Sequence, residues 1–325
     1  MTTPTSTPPI VTITRTVPGR AEVPGATVRT LGDAKPSREA LLEGIRGSSV
    51  VVTMYSDKAD REFLDAAGPT LKGICNFAVG FENIDLDECR RRGVRVTNTP
   101  NAVTEGTADL AWLLVMAAAR RLIEADRCAR SAEYPSRGHL GMADFLGKDL
   151  TGRTLLIVGA GRIGLGVAMR SKAWGMRVLY VARNRHWEFE LAPVAGERVS
   201  LHEGLAQADV VSVHCPLTPE TKHLMNRAAF EAMKPGAIFV NTARGPVVDE
   251  EALVEALASG KLHSAGMDVY EREPVVHPAL VADPRVVLTP HIGSAETRYR
   301  EMMTQMVCEN AAAILASKEP PNAIA

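Results

Sequence analysis

Two sets of residues in the second half of this 325-residue chain have types and spacing that could do chemistry. The first is Gly159, Gly161 and Gly164, a G-x-G-x-x-G that follows the apolar run LLIV from Leu155 and opens a helical pattern. In that order the first glycine permits a tight turn, the second lets a pyrophosphate approach the backbone, and the third lets helix pack on strand. The helix start, at Arg162, Ile163 and Gly164, then offers N–H groups and a positive dipole end to phosphate. The next strand, RVLYV from Arg177, ends at Ala182, where an NAD-type site would carry an acid for the ribose 2′-hydroxyl. Arg183 and Arg185 follow, and their planar guanidinium groups suit a 2′-phosphate, which favours NADP(H) over NAD(H).

The second set is Arg244, Glu273 and His291, in NTARG from Asn241, GMDVYEREP from Gly266 and TPHIG from Thr289. Each lies just beyond a run fit for a buried strand. In open α/β sheets the ligand crevice lies outside the carboxyl ends of the strands, so these ends should converge on it. A lone His is more often structural than catalytic, but an Arg and a Glu at neighbouring strand ends weigh the other way.

The elements that must position these residues alternate between strand and helix. In the first hundred residues, strand patterns begin at Ile10, Val50, Leu71 and Gly93, with helical patterns near 38–45, 59–66 and 85–92. A second series runs from Leu155 through strands starting near Arg177, Asp209, Ala237, Ser264 and Arg285. Such alternation predicts two α/β, doubly wound Rossmann-like domains with parallel sheets. A long helix is expected over 104–123, linking domains or subunits, then a Gly- and Pro-containing segment over 134–147. A last helix over 295–317 has no strand after it and is expected to return to the first domain. The predicted division is therefore 1–103 plus 295–325 for a discontinuous, flavodoxin-like substrate domain, and 104–294 for the dinucleotide domain.

Composition narrows the classes. Lys and Arg number 37 against 38 Asp and Glu, a formal charge of −1 without a dense basic run, which argues against nucleic-acid binding. No apolar stretch is long enough to span a bilayer. The opening MTTPTSTPP lacks the basic and apolar regions of a secretory signal and reads as a disordered lead-in. The 5 cysteines are scattered without C-x-x-C spacing, indicating neither disulfides nor a zinc site. A cytoplasmic protein is expected.

Across nearly its whole length the sequence resembles the D-isomer-specific 2-hydroxyacid dehydrogenases. The resemblance is carried by NFAVGFENID, VTNTPNAVTEGTADLA, FLGKDLTGRTLLIVGAGRIG, CPLTPET, NTARGPVVDEEAL, MDVYEREP and TPHIG. Within the family it is most similar to glyoxylate and hydroxypyruvate reductases. The resemblance implies an active site in an interdomain cleft and His291 as the general acid for the substrate carbonyl. It makes Glu273 the carboxylate that supports the imidazolium, with Glu271 a mismatched neighbour, and Arg244 the binder of substrate carboxylate and carbonyl oxygen. Asp268 would accept a hydrogen bond from the nicotinamide carboxamide. Thr107, Pro216, Thr221 and Ala243 match cofactor-contacting positions, while Val79 and Gly80 match the loop whose N–H groups hold the substrate carboxylate. Met54 and Tyr55 would line the pocket. A homodimer through the long helix is implied.

The segment SAEYPSRGHLGMADF lacks the tryptophans this family often carries there, leaving the substrate side chain unassigned. The expected function is NADPH-preferring reduction of a small 2-oxoacid, glyoxylate or hydroxypyruvate, with 2-ketogluconate or another 2-ketoacid as the alternative. From a different class, a dinucleotide-sensing, corepressor-like interaction protein shares the fold. A SAM-dependent methyltransferase would need an acid at position 182.

Overall fold

The computed structural model describes residues 7–325. The chain forms two compact units, one of Met1–Val103 with Ser294–Ala325, the other of Thr104–Gly293. Residues 1–6 of the expected lead-in lie outside the described residues. Pro9, its last residue, already belongs to the sheet, since its carbonyl accepts from Thr27 N at 2.9 Å.

In the first unit β1 (Ile10–Ile13), β2 (Thr27–Thr30), β3 (Val50–Met54), β4 (Gly73–Phe77) and β5 (Arg95–Thr97) form a parallel sheet in the order β2-β1-β3-β4-β5. Every residue of β3 and β4 is buried, as expected of strands covered on both faces. Helices Arg38–Gly44, Arg61–Ala67 and Leu86–Arg92 start where the Ser37, Asp60 and Asp85 side chains accept a backbone N–H. The final helix, Thr297–Leu315, buries Met303, Val307, Ala311 and Ile314 in the core that β1, β3 and β4 share. It thus closes the first unit.

The second unit contains β6 (Thr154–Val158), β7 (Arg177–Val181), β8 (Glu197–Arg198), β9 (Val210–Val213), β10 (Ala237–Asn241), β11 (Leu262–Met267) and β12 (Val286–Leu288). They are parallel neighbours in the order β12-β11-β10-β9-β6-β7-β8. The chain moves from β6 out to β7 and β8, then returns to pair β9 on the other side of β6. The switch point between β6 and β9 is where such sheets open a crevice for ligand.

The long helix is shorter than the sequence pattern predicts. It runs Thr104–Ala119, then Arg121 takes a left-handed φ of 51° and a second helix covers Leu122–Arg130. Its end is met by the incoming chain: Lys148 N donates to Ala119 O at 2.8 Å. A side chain at Gly147 would place its Cβ 2.3 Å from that same carbonyl. Among the described residues no helix is long and apolar enough to cross a membrane.

Candidate active site

The glycine loop occupies the switch point. Gly159 follows β6 with a φ of 107°, and a Cβ there would stand 2.5 Å from Cys215 N and 2.7 Å from the His214 carbonyl carbon, just beyond β9. A Cβ on Gly164 would stand 2.5 Å from Gly159 O, whereas one on Gly161 would meet nothing within 4 Å. Only the middle glycine therefore faces open space, as a cradle for a pyrophosphate requires. The helix Arg162–Ser171 begins there, and Gly161, its N-cap, has no side chain to engage the first N–H groups. The residues present fit a dinucleotide.

Beside this loop, His214 bonds Ser212 Oγ through Nε2 at 2.8 Å and Thr242 Oγ1 through Nδ1 at 3.5 Å. Burial pushes its imidazole down to about 3, so it is neutral at pH 7 and acts as a brace between β9 and β10. Beyond it, Thr221 Oγ1 donates to Pro216 O at 2.6 Å and accepts from Thr218 N at 2.7 Å, closing the turn that carries both residues.

At the end of β7 the two arginines differ. Arg185 pairs with Glu190 and lies 4.0 Å over the Trp187 ring. Glu190 also accepts from Tyr180 Oη at 2.7 Å, and these hydrogen bonds, Tyr180 first, hold its carboxyl below the usual range. Arg183 is exposed, and its charge acts on Glu220. Arg198 ties the loop down by donating to Ala182 O at 3.0 Å and Arg183 O at 2.6 Å. Neither Glu190 nor Arg198 stands out in the sequence, because each lies on a different short element from the residue it serves.

His291 Nδ1 is 2.9 Å from Glu273 Oε2, and Glu273 Oε1 accepts from Tyr270 N at 3.0 Å. Burial pushes the Glu273 carboxyl up, but the hydrogen bond and charge of His291, the Tyr270 N–H and the Arg244 charge outweigh it and hold the group low. It is a carboxylate at neutral pH. Glu271, by contrast, pairs with His223 Nε2 at 2.8 Å.

The histidine sits in a loop built around Asp268, which is 1% exposed. Asp268 accepts from Thr289 Oγ1 at 2.7 Å, Ile292 N at 2.8 Å and Gly293 N at 2.9 Å, while its carbonyl takes His291 N at 2.8 Å. These bonds bracket His291 and hold its left-handed φ of 56°. Burial pushes the Asp268 carboxyl up against the pull of the Ile292 and Gly293 N–H groups, the Thr289 hydroxyl and the His291 charge. A Cβ on Gly293 would lie 3.2 Å from Thr107 and 3.3 Å from Asp268 Oδ2, so Thr107 borders the same loop.

Arg244 follows β10, and its turn is set by Asn241, which is fully buried. Asn241 Oδ1 accepts from Ala243 N at 3.0 Å, and its Nδ2 donates to Arg244 O at 3.1 Å. The neighbouring Gly245 is pressed against the loop after β11: a Cβ there would stand 1.8 Å from Tyr270 O and 2.5 Å from Glu271 N. Glu250, also buried, accepts from Glu271 N at 2.7 Å. Arg244 and Glu273 are therefore carried by two loops in direct backbone contact. Val79 and Gly80 lie in the first unit, after β4.

The family model described as "D-isomer specific 2-hydroxyacid dehydrogenase, NAD binding domain" matches residues 112–293. A glyoxylate reductase of Thermococcus onnurineus is 48% identical over 291 residues, covering 89% of this chain and 86% of that one. The chain belongs to the D-isomer-specific 2-hydroxyacid dehydrogenases. The family is one of NAD(P)-dependent oxidoreductases, and the residues matched by its NAD binding domain fall within the second unit. A crystal structure of a protein from Thermus thermophilus superposes with a TM-score of 0.90 at 44% identity, covering 97% of this chain and 100% of that one. An NADPH-dependent glyoxylate/hydroxypyruvate reductase from Sinorhizobium meliloti, solved with NADP and malonate, gives 0.84 at 29% identity, covering 98% and 97%. In this dehydrogenase the glycine loop, the arginine turn and the histidine loop all lie at carboxyl ends of strands of one sheet.

Proposed function

We propose that this dehydrogenase is an NADPH-preferring reductase of small 2-oxoacids, glyoxylate and hydroxypyruvate first, giving the D-2-hydroxyacid. The observation that carries the reading is the His291–Glu273 pair, 2.9 Å apart, with His291 on the loop that Asp268 holds. The nicotinamide, when bound, supplies the hydride to the carbonyl carbon. His291 delivers the proton to the carbonyl oxygen from Nε2, since Nδ1 is engaged by Glu273. Glu273 stabilises the imidazolium before transfer and fixes the ring orientation. Arg244 binds the substrate carboxylate and carbonyl oxygen, polarising the bond that is reduced. The N–H groups of Val79 and Gly80 hold the carboxylate.

On the cofactor, Gly159, Gly161, Arg162, Ile163 and Gly164 take the pyrophosphate, and Arg183 grips the 2′-phosphate, with Arg185 close by. Thr107, Pro216, Thr221, Ala243 and Asp268 line the nicotinamide end. Relatives named glyoxylate reductase, at up to 48% identity, support the choice of substrate. The enzyme is cytoplasmic and a homodimer through the long helix; exposed Leu113, Leu122 and Leu146 on and beside that helix support an apolar partner face. The test is NADPH and NADH oxidation by purified protein with glyoxylate, hydroxypyruvate, 2-ketogluconate and pyruvate. Turnover of glyoxylate or hydroxypyruvate with NADPH at least about tenfold above NADH in kcat/KM is expected. A protein inert with every acid would end the reading.

A further inference from the structure

The backbone at residues 78–80, just beyond β4, treats its two kinds of polar group unequally. Three successive carbonyls are tied down: Ala78 O accepts from Thr99 N at 3.0 Å, Val79 O from Asn98 Nδ2 at 2.8 Å, and Gly80 O from Asn76 Nδ2 at 2.7 Å. Among the described residues, nothing accepts from the N–H of Val79 or Gly80. In a planar trans peptide the carbonyl of one residue and the N–H of the next point in opposite directions. Fixing Ala78 O therefore aims Val79 N–H, fixing Val79 O aims Gly80 N–H, and fixing Gly80 O aims Phe81 N–H. Consecutive N–H groups held in this way make an anion-binding concavity.

The donors are themselves held. Asn76 is fully buried, and its Oδ1 accepts from Thr53 Oγ1 at 2.9 Å and from Asn83 Nδ2 at 3.3 Å. Asn98 donates its own N–H to Asn322 O at 3.3 Å and accepts on its carbonyl from Asn310 Nδ2 at 3.5 Å. An amide is the right group at both places, because a carboxylate would turn an oxygen toward a carbonyl and repel it.

We infer that Asn98 and Asn76 are positioning residues that aim the Val79, Gly80 and Phe81 N–H groups at the substrate carboxylate. The inference rests on the 2-oxoacid reductase reading, and it makes the side-chain amides the parts of this loop that substitution can reach. The test compares wild type with Asn98→Ala and the same-sized Asn98→Asp, using glyoxylate turnover and oxalate titration of the NADPH-loaded enzyme. Oxalate is a planar two-carbon carboxylate that needs no turnover. Glyoxylate KM and oxalate Kd should rise together by about tenfold in both variants, with kcat and NADPH Kd within about twofold of wild type. Oxalate affinity within about twofold of wild type in a folded variant would overturn the inference, as would NADPH affinity falling as far as oxalate affinity. Wild type that binds oxalate but reduces no 2-oxoacid would sink the functional reading, while the oxalate arm still judges the clamp. If wild type does neither, both fall.

Discussion

The glycine loop and the histidine loop of the second unit hold their geometry by opposite means. At Gly159 and Gly164 the shape is set by atoms that are absent, since a Cβ at either would lie 2.5 Å from backbone. At His291 it is set by atoms that are present: the Asp268 carboxylate takes three donors and Glu273 takes the imidazole and the Tyr270 N–H. A backbone-built site should fail when an atom is added, and a side-chain-built site when a hydrogen bond is removed. The first failure should abolish binding, the second should slow chemistry.

The largest effect is expected at Gly159→Ala, where the new methyl meets Cys215 at a left-handed backbone position. NADPH affinity should fall by about 1000-fold or more, equivalent to about 4 kcal/mol, with a lowered Tm. Titration and thermal melting check this, and affinity within tenfold of wild type would break the contrast. Glu273→Gln should lower kcat by about 100-fold while leaving NADPH Kd within about twofold, because it removes the carboxylate partner of His291 and nothing from the glycine loop. Equal losses in kcat and NADPH affinity would show that the two loops are not separate devices.

The same variant carries a pH signature. The Glu273 carboxyl is held below its ordinary value of 4.5, so its stabilising contribution is complete above that value and is lost as pH falls through the lower folded one. Wild type should thus be more stable than Glu273→Gln at neutral pH, and denaturant midpoints should converge on acidification below 4.5. A gap that widens in acid would reverse the assigned sign. At the adenosine end the effects should be smaller. Arg183→Ala should raise the KM for NADPH about tenfold and leave NADH unchanged, and undiminished NADPH preference would remove the 2′-phosphate assignment. Arg185→Ala should change either KM by less than about twofold, because its guanidinium is committed to Glu190 and Trp187.

Legibility in the sequence follows the same division. A requirement for no side chain shows itself as glycine, and the surrounding order of strand, turn and helix makes Gly159, Gly161 and Gly164 readable. Strand ends are readable too, because β10 and β12 are apolar runs that stop abruptly at polar residues and β11 gives way to Asp268. The edge strands β2 and β8 are not readable: TVRT and ER have partly or fully exposed residues and no apolar pattern. The break at Arg121 also leaves no local trace, since residues 147–148, far along the chain, cap the helix end. Asn241 and Asn76 reach carbonyls only three and four residues away, at Arg244 and Gly80, but the residue type alone does not show that each is a buried strand-end amide that shapes the turn after it.

The contact of Gly245 with the Tyr270 carbonyl has a consequence for anyone redesigning this enzyme. Because Arg244 and Glu273 ride on loops pressed together at that point, neither can be shifted to suit a bulkier acid without dragging the other out of register. Saturation libraries at 244–245 or 270–273 should therefore yield mostly dead clones. Broader acceptance of substrates is better sought at positions outside these two loops, where a side chain can be traded without moving either of them.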